Sequence, residues 1–246
     1  MIRWTWAFVD RPEADFETSA RFWMAVTGTT LSARRGERRE FATLLPAEGD
    51  GNPCVKLQGV LSGGGAHLDL EFDDYDAALE RVVDFGGAVG ARDDAWAYVT
   101  SPSGYGLCVA AWTGGKSVPR PFVGPDGSRS RLDQVCVDIA PSALAAEVAF
   151  WSGVSGLEVV PSSRYEEFSW LRPPTGSPVA VLFQRLGEER PTSAHLDMAC
   201  ADADATRAWH ESLGAEFVAE RGNWIVMRDP AGWEYCLIRK DPEEGV

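Results

Sequence analysis

The sequence repeats itself at a spacing of 128 residues, and this restricts its folds more than any other feature. His67-Leu68-Asp69-Leu70 returns as His195-Leu196-Asp197-Met198, Phe22-Trp23 as Phe150-Trp151, and Gly28 as Gly156. Asp10 returns as Asp138, Trp96 as Trp224, Pro102-Ser103-Gly104 as Pro230-Ala231-Gly232, and Cys108 as Cys236. Matches drawn from both ends of each half at a single spacing mean an internal duplication. The expected organisation is two copies, residues 1–115 and 131–246, joined by a linker at 116–130. Between Thr113 and Arg131 stand Gly114, Gly115, Pro119, Pro121, Gly124, Pro125 and Gly127. That density of Gly and Pro predicts an exposed connection without a regular element.

Each copy reads as a βαβββ pattern written twice. In the first, a strand near Arg3 to Val9 precedes a helix begun at Asp10-Arg11-Pro12-Glu13. Phe16, Ala20, Trp23 and Met24 share one face of that helix, and Gly28 stops it. Strands near 30–34, 39–45 and 54–60 follow. His67 to Phe72 then opens the second round, with an acidic cap at Asp73-Asp74, a helix through Ala77, Leu79, Val82, Val83 and Phe85, and a Gly86-Gly87 stop. Strands near 88–91, 96–100 and 106–112 complete it, and the second copy predicts helices near 142–153 and 202–214. Strand alternation sets Leu68, Leu70 and Phe72 against His67, Asp69 and Glu71, and Leu196 and Met198 against His195 and Asp197. An imidazole beside a carboxylate on the polar side is what a cupped sheet lining a binding cavity would present.

Composition narrows the function classes. With 246 residues and 45% hydrophobic content the chain supports a real core. Its 23 basic and 37 acidic residues give a net charge of −14, which repels nucleic acid and anionic membranes at long range. No run approaches the roughly 18 apolar residues of a membrane span, and the first residues already alternate like a strand, not like a signal peptide. Five cysteines without a CxxC pair, set in apolar runs, fit reduced thiols in a cytoplasm. Gly63-Gly64-Gly65 lacks the Lys-Ser/Thr of a phosphate loop. The expected partner is a small molecule, and the expected state a monomer or homodimer.

The order of these stretches resembles the vicinal oxygen chelate superfamily, the group of glyoxalase I, the bleomycin and fosfomycin resistance proteins and the extradiol dioxygenases. Ala149-Phe150-Trp151, Gly156-Leu157-Glu158-Val159, Ala194-His195-Leu196-Asp197 and the run Arg228 to Leu237, with its Asp229-Pro230-Ala231-Gly232, carry the resemblance. It is strongest to a glyoxalase-like subgroup with Leu/Phe-Gln before the histidine (Leu57-Gln58; Phe183-Gln184), His-Leu-Asp, and Cys in the last strand. The resemblance implies an α+β fold: two tandem glyoxalase-like domains, each of two βαβββ units forming a cupped, incomplete barrel. It also implies that the superfamily's metal-ligand positions fall on Gln134, Gln184, His195 and Cys236, and in the first copy on Trp6, Gln58, His67 and Cys108. Neither set supplies a carboxylate, which hard divalent cations require, and Trp6 offers no ligand atom. The expectation is therefore a shell that binds a small, partly aromatic ligand without a catalytic metal. The alternative is a metal-dependent lyase, isomerase or dioxygenase using His195, with Zn, Ni, Mn or Fe. A Gln/His/Cys set suits zinc if Cys236 ionises.

The site candidates carry different roles. His195, with Glu234 two residues from Cys236 on the same strand side, is the candidate for acid–base work. Gln134, Gln184, Asp197, Trp224, Cys236, Trp6, Gln58, His67, Asp69, Trp96 and Cys108 are expected to line the ligand cavities. Asp69 and Asp197 would orient their histidines. Cys108 and Cys236 read first as small hydrophobes and second as thiols facing an imidazole. Of ten tryptophans, Trp6, Trp96, Trp170, Trp224 and Trp233 are expected at cavity mouths, and Trp23, Trp151 and Trp209 in helix packing. His210, among Arg207, Trp209 and Glu211, reads as a solvated surface residue.

Overall fold

Proline sets the first departure from that pattern. In the computed structural model, which describes residues 1–125 and 127–243, strand β1 runs Ile2–Pro12, through the residues expected to open a helix. Arg11 precedes Pro12 and is pushed toward extended backbone. Arg11 and Pro12 instead pair in parallel with Gly59 and Val60 of β4 (Val55–Val60). A single 3-10 turn, Glu13–Asp15, leads into α1 (Phe16–Thr27).

Helix starts and stops follow the local chemistry. α1 buries Phe16, Ala20 and Trp23 and ends where Gly28 turns left-handed at φ 63°. Helix α3 (Leu144–Ser155) ends the same way at Gly156, φ 71°. Helices α2 (Tyr75–Asp84) and α4 (Ala203–Ser212) begin on Asp74 and Asp202, whose carboxylates accept from the Ala77 and Ala205 amides at 3.0 and 2.9 Å.

The first copy adds β2 (Thr30–Leu31), β3 (Phe41–Leu45), β5 (Gly65–Phe72), β6 (Ala88–Arg92), β7 (Trp96–Thr100) and β8 (Gly106–Ala111). These form one open sheet in the order β2-β3-β4-β1-β5-β8-β7-β6. Beyond β9 (Phe122–Val123), the second copy gives β10 (Arg129–Ile139), β11 (Val159–Pro161), β12 (Phe168–Leu171) and β13 (Ala180–Arg185). It continues with β14 (Ser193–Cys200), β15 (Glu216–Arg221), β16 (Trp224–Arg228) and β17 (Glu234–Arg239). The order β11-β12-β13-β10-β14-β17-β16-β15 repeats the first sheet's pattern. Each sheet is thus two βαβββ rounds side by side, open at both ends. The linker departs from expectation: β9 pairs antiparallel with β10, Val123 against Arg129 and Phe122 against Ser130. Phe122 and Val123 are adjacent strand formers between Pro121 and Gly124, enough for a two-residue ladder.

Packing divides the chain differently from the repeat. One compact unit comprises Met1–Trp6, His67–Gly115 and Val135–Ala194, and the other comprises Ala7–Ala66, Lys116–Gln134 and the chain from His195. Each draws residues from both copies. In the first unit Trp151 stacks 5.7 Å from Phe183 and 6.2 Å from Tyr105. Its indole donates to Glu147 at 3.0 Å, and the other Glu147 oxygen accepts from the Ser103 amide at 2.8 Å.

The second unit centres on Phe22, Trp23, His210 and Tyr235, with ring centroids 5.4–5.9 Å apart. Beneath them Asp229 is saturated. One oxygen takes Arg11 Nη2 at 2.7 Å, Arg11 Nε at 2.8 Å and Trp23 Nε1 at 3.2 Å. The other accepts the Ala231 and Trp233 amides at 3.0 and 3.1 Å. Arg11 Nη1 donates to the Asp10 and Gly65 carbonyls, each at 2.7 Å. His210 corrects the sequence reading: it is fully buried, with Nδ1 2.8 Å from the Tyr235 hydroxyl. Ala203, Thr206 and His210 share the inner stripe of α4, and His210 lies on it despite its charged neighbours.

Candidate functional site

In the second unit, β14 and β17 run parallel with Asp197 directly opposite Cys236. His195 stands two residues before Asp197 and so projects from the same side of the sheet. The three converge: an imidazole nitrogen, a carboxylate oxygen and a thiol sulfur lie within 4.8 Å of one another. His195 Nε2 is 3.4 Å from Asp197 Oδ1, and Gln134 Nε2 donates to Asp197 Oδ2 at 2.8 Å. Asp197, Cys236 and Gln134 are buried, whereas the His195 side chain keeps 20% of its surface open. The cluster is therefore reached through the imidazole.

Burial pushes the Cys236 thiol up to about 11. The Asp197 charge adds to that rise, and the hydrogen bond and proximity of His195 oppose it. At neutral pH the sulfur is protonated, so it is no nucleophile unless something draws the proton away.

The first unit repeats the arrangement. Asp69 pairs opposite Cys108 on β5 and β8, and His67, Asp69 and Cys108 again lie within 4.8 Å. His67 Nε2 is 3.8 Å from Asp69 Oδ1. What differs is the position equivalent to Gln134. Trp6 is buried, packs edge-on against Trp4 and donates its indole N–H to Glu71 at 2.8 Å. It is a core residue and not the mouth residue expected, because a strand with both faces covered has no open side on which to present it. Burial extends to the polar side of β5, where Asp69 and Glu71 are buried like Leu68, Leu70 and Phe72 and His67 is half-buried.

The other expected site residues stand on several strands. Glu234 is exposed at the start of β17 and bonds Arg228 at 3.0 Å, outside the converging set. Gln184 belongs to the first unit, where its side-chain oxygen lies 4.0 Å from the Cys136 thiol. Gln58, on β4 in the second unit, pairs with Asp10 and Phe41. Trp96 is exposed on β7, Trp170 is exposed on β12, and Trp224 is half-buried on β16. Trp233 lies over the Arg11 guanidinium at 5.8 Å and against Gly64. The sequence reading also understated Asp197 and Asp69. Both supply the carboxylate that the expected ligand positions lacked, and the signal was their spacing of two from the histidine.

The model of the family described as glyoxalase-like domain matches this chain twice, over residues 6–110 and 134–238. The chain belongs to the glyoxalase-like family. Its two matched stretches contain both clusters. No protein of curated function matches the glyoxalase-like sequence. Solved structures do share its fold. A 2,3-dioxygenase from Pseudomonas sp. is 14% identical with a TM-score of 0.63, over 95% of this chain and 90% of that one. A 2,2',3-trihydroxybiphenyl 1,2-dioxygenase from Sphingomonas wittichii is 15% identical with a TM-score of 0.64, over 97% and 90%. Homoprotocatechuate 2,3-dioxygenase from Arthrobacter globiformis is 14% identical with a TM-score of 0.58, over 97% and 79%. At these identities the likeness between them and this glyoxalase-like chain is one of fold. Among the described residues no helix is long and apolar enough to cross a membrane.

Proposed function

We propose that the chain is a metal-dependent enzyme acting on a small, partly aromatic molecule, with its working centre at His195, Asp197 and Cys236. The observation that carries this reading is the convergence of imidazole, carboxylate and thiol within 4.8 Å, built twice from the same strand register. A neutral imidazole with one carboxylate and one thiolate balances a divalent ion, which amides and imidazole alone do not. Sulfur and nitrogen donors favour zinc over harder cations. When bound, such an ion would polarise a substrate oxygen. Zinc has no redox chemistry, so lyase or isomerase chemistry is favoured over the dioxygenase chemistry named for the fold neighbours.

The chain's own residues prepare this centre. Gln134 ties one Asp197 oxygen and leaves the other directed at His195. The partly open His195 ring is the group best able to meet a substrate and to carry a proton at Nε2. A second reading is metal-free ligand binding, favoured by the high pKa of the Cys236 thiol. Cobalt titration of chelator-stripped protein separates the two readings. A thiolate-to-cobalt absorption band that Cys236→Ser abolishes supports the metal centre. Sub-stoichiometric uptake with no such band, for cobalt and zinc alike, removes it.

A further inference from the structure

Arg11 and Arg131 are comparably buried guanidiniums in the second unit, with opposite fates. Arg11 makes hydrogen bonds to Asp229 and to two carbonyls. Arg131 has a side chain only 10% exposed, and its Nε is enclosed with no hydrogen-bond partner among the described residues. Its nearest carboxylate, Asp133, is 3.9 Å away and is already held by Lys240 at 2.8 and 3.0 Å. A planar cation with five donors is costly to bury in this state, and natural interiors satisfy such groups.

Arg131 lines a cavity of about 50 Å³, room for roughly three to five water-sized groups. Ser130 brings a hydroxyl to its wall, the Thr27 and Thr29 hydroxyls beside it are engaged with each other and with the Trp23 carbonyl, and Leu44, Val55, Phe122, Leu132 and Met198 make the remainder largely apolar. Arg120 stands at the same cavity with 76% of its side chain exposed, 3.7 Å from Asp50. Cys54 also borders it, buried and protonated, with its thiol pushed up to about 12 by burial. The wall thus offers a buried cation held only by a long ion pair, the Ser130 hydroxyl and a short apolar surface, with no carboxylate among the residues that line it.

We propose that this cavity binds a small carboxylate anion, its head on the Arg131 fork beside the Ser130 hydroxyl and its short apolar tail against Leu132 and Met198. A guanidinium pairs a carboxylate through two parallel N–H donors, a stronger and more specific contact than the long ion pair to Asp133. The volume excludes drug-sized molecules, which need several hundred Å³. The site is separate from the His195 cluster and does not depend on a metal there.

Calorimetric titration of the full chain with sodium acetate, sodium propionate and inorganic phosphate, each against sodium chloride at matched ionic strength, tests this. Saturable binding of one carboxylate per chain, with propionate tighter than acetate and phosphate weaker than both, is expected. Arg131→Gln should weaken carboxylate binding about tenfold or more, and Arg131→Lys by less. Arg131→Met provides a readout of its own: without carboxylate its thermal midpoint should match or exceed the parent's, and carboxylate should no longer raise it. The proposal is overturned if the parent shows no saturable carboxylate binding, if phosphate binds more tightly, or if Arg131→Gln binds like the parent. The parent titration decides the matter even if a variant does not fold.

Discussion

Cutting the Arg11–Asp229 pair should destabilise the protein unequally, depending on which partner is removed. Both side chains are almost wholly enclosed, 3% and 0% exposed, and burial lowers the Arg11 pKa against the opposing pull of Asp229. Arg11→Met leaves the Asp229 carboxylate with three neutral donors, Trp23 Nε1 and the Ala231 and Trp233 amides. Its cost falls at the low end for a broken buried pair, about 3 kcal/mol. Asp229→Ala orphans the same three donors and leaves Arg11 with only two carbonyls. That sums to about 5 kcal/mol or more, a large share of a typical domain's stability. The double variant removes the stranded charge and should cost well under the sum, with a coupling of about 3 kcal/mol. Urea unfolding of the parent and the three variants, followed by fluorescence and far-UV circular dichroism, reads all four corners of the cycle. Additive costs, or equal costs for the two single variants, would refute the reasoning.

Three further outcomes follow from the same structure. His210 is held down to about 3 by burial, below its ordinary value near 6.5, so its contribution is complete above pH 6.5 and is lost as pH falls toward 3. Relative to His210→Leu, the parent should lose about 2 kcal/mol of unfolding free energy between pH 6.5 and 5, measured by urea melts; parallel pH profiles would contradict this. Gly28 and Gly156 are both left-handed, but a Cβ at Gly28 would strike the Phe122 ring while one at Gly156 meets nothing. Gly156→Ala should cost about 1 kcal/mol and Gly28→Ala clearly more in denaturant melts, with equal costs counting against the contact. Finally, zinc uptake at His195, Asp197 and Cys236 should release a proton from the thiol, so affinity should rise with pH through the neutral range. Titration in buffers of different ionisation enthalpy measures that proton, and Cys236→Ser should abolish its release.

The fold was legible because duplication doubled every weak signal. Gly28 and Gly156, Asp74 and Asp202, and the two His-Leu-Asp strands each confirmed the other's element. Errors arose where tertiary contacts overrode local pattern. His210 sits among charged neighbours, and nothing local shows that Tyr235, 25 residues later in the chain, will reach its ring. Trp6 occupies a strand position that alternation cannot assign to a pocket once both faces are covered. Glu234 shares parity with Cys236, yet Arg228 across the hairpin holds it at the surface. Of the candidate site, His195, Asp197 and Cys236 were all named from the sequence. Their convergence was not legible, since it depends on the register that sets Asp197 against Cys236.

The two compact units each borrow from both halves of the duplicated sequence. Arg11 and Trp23 come from the ancestral first gene segment and Asp229 from its twin, yet one carboxylate serves them all. Neither half can therefore drift alone: a substitution in one must be answered 206 or 218 residues away in the other. Severed at the linker, each piece would carry away partners orphaned by the cut, and complementation by the missing piece would restore both interiors together or neither.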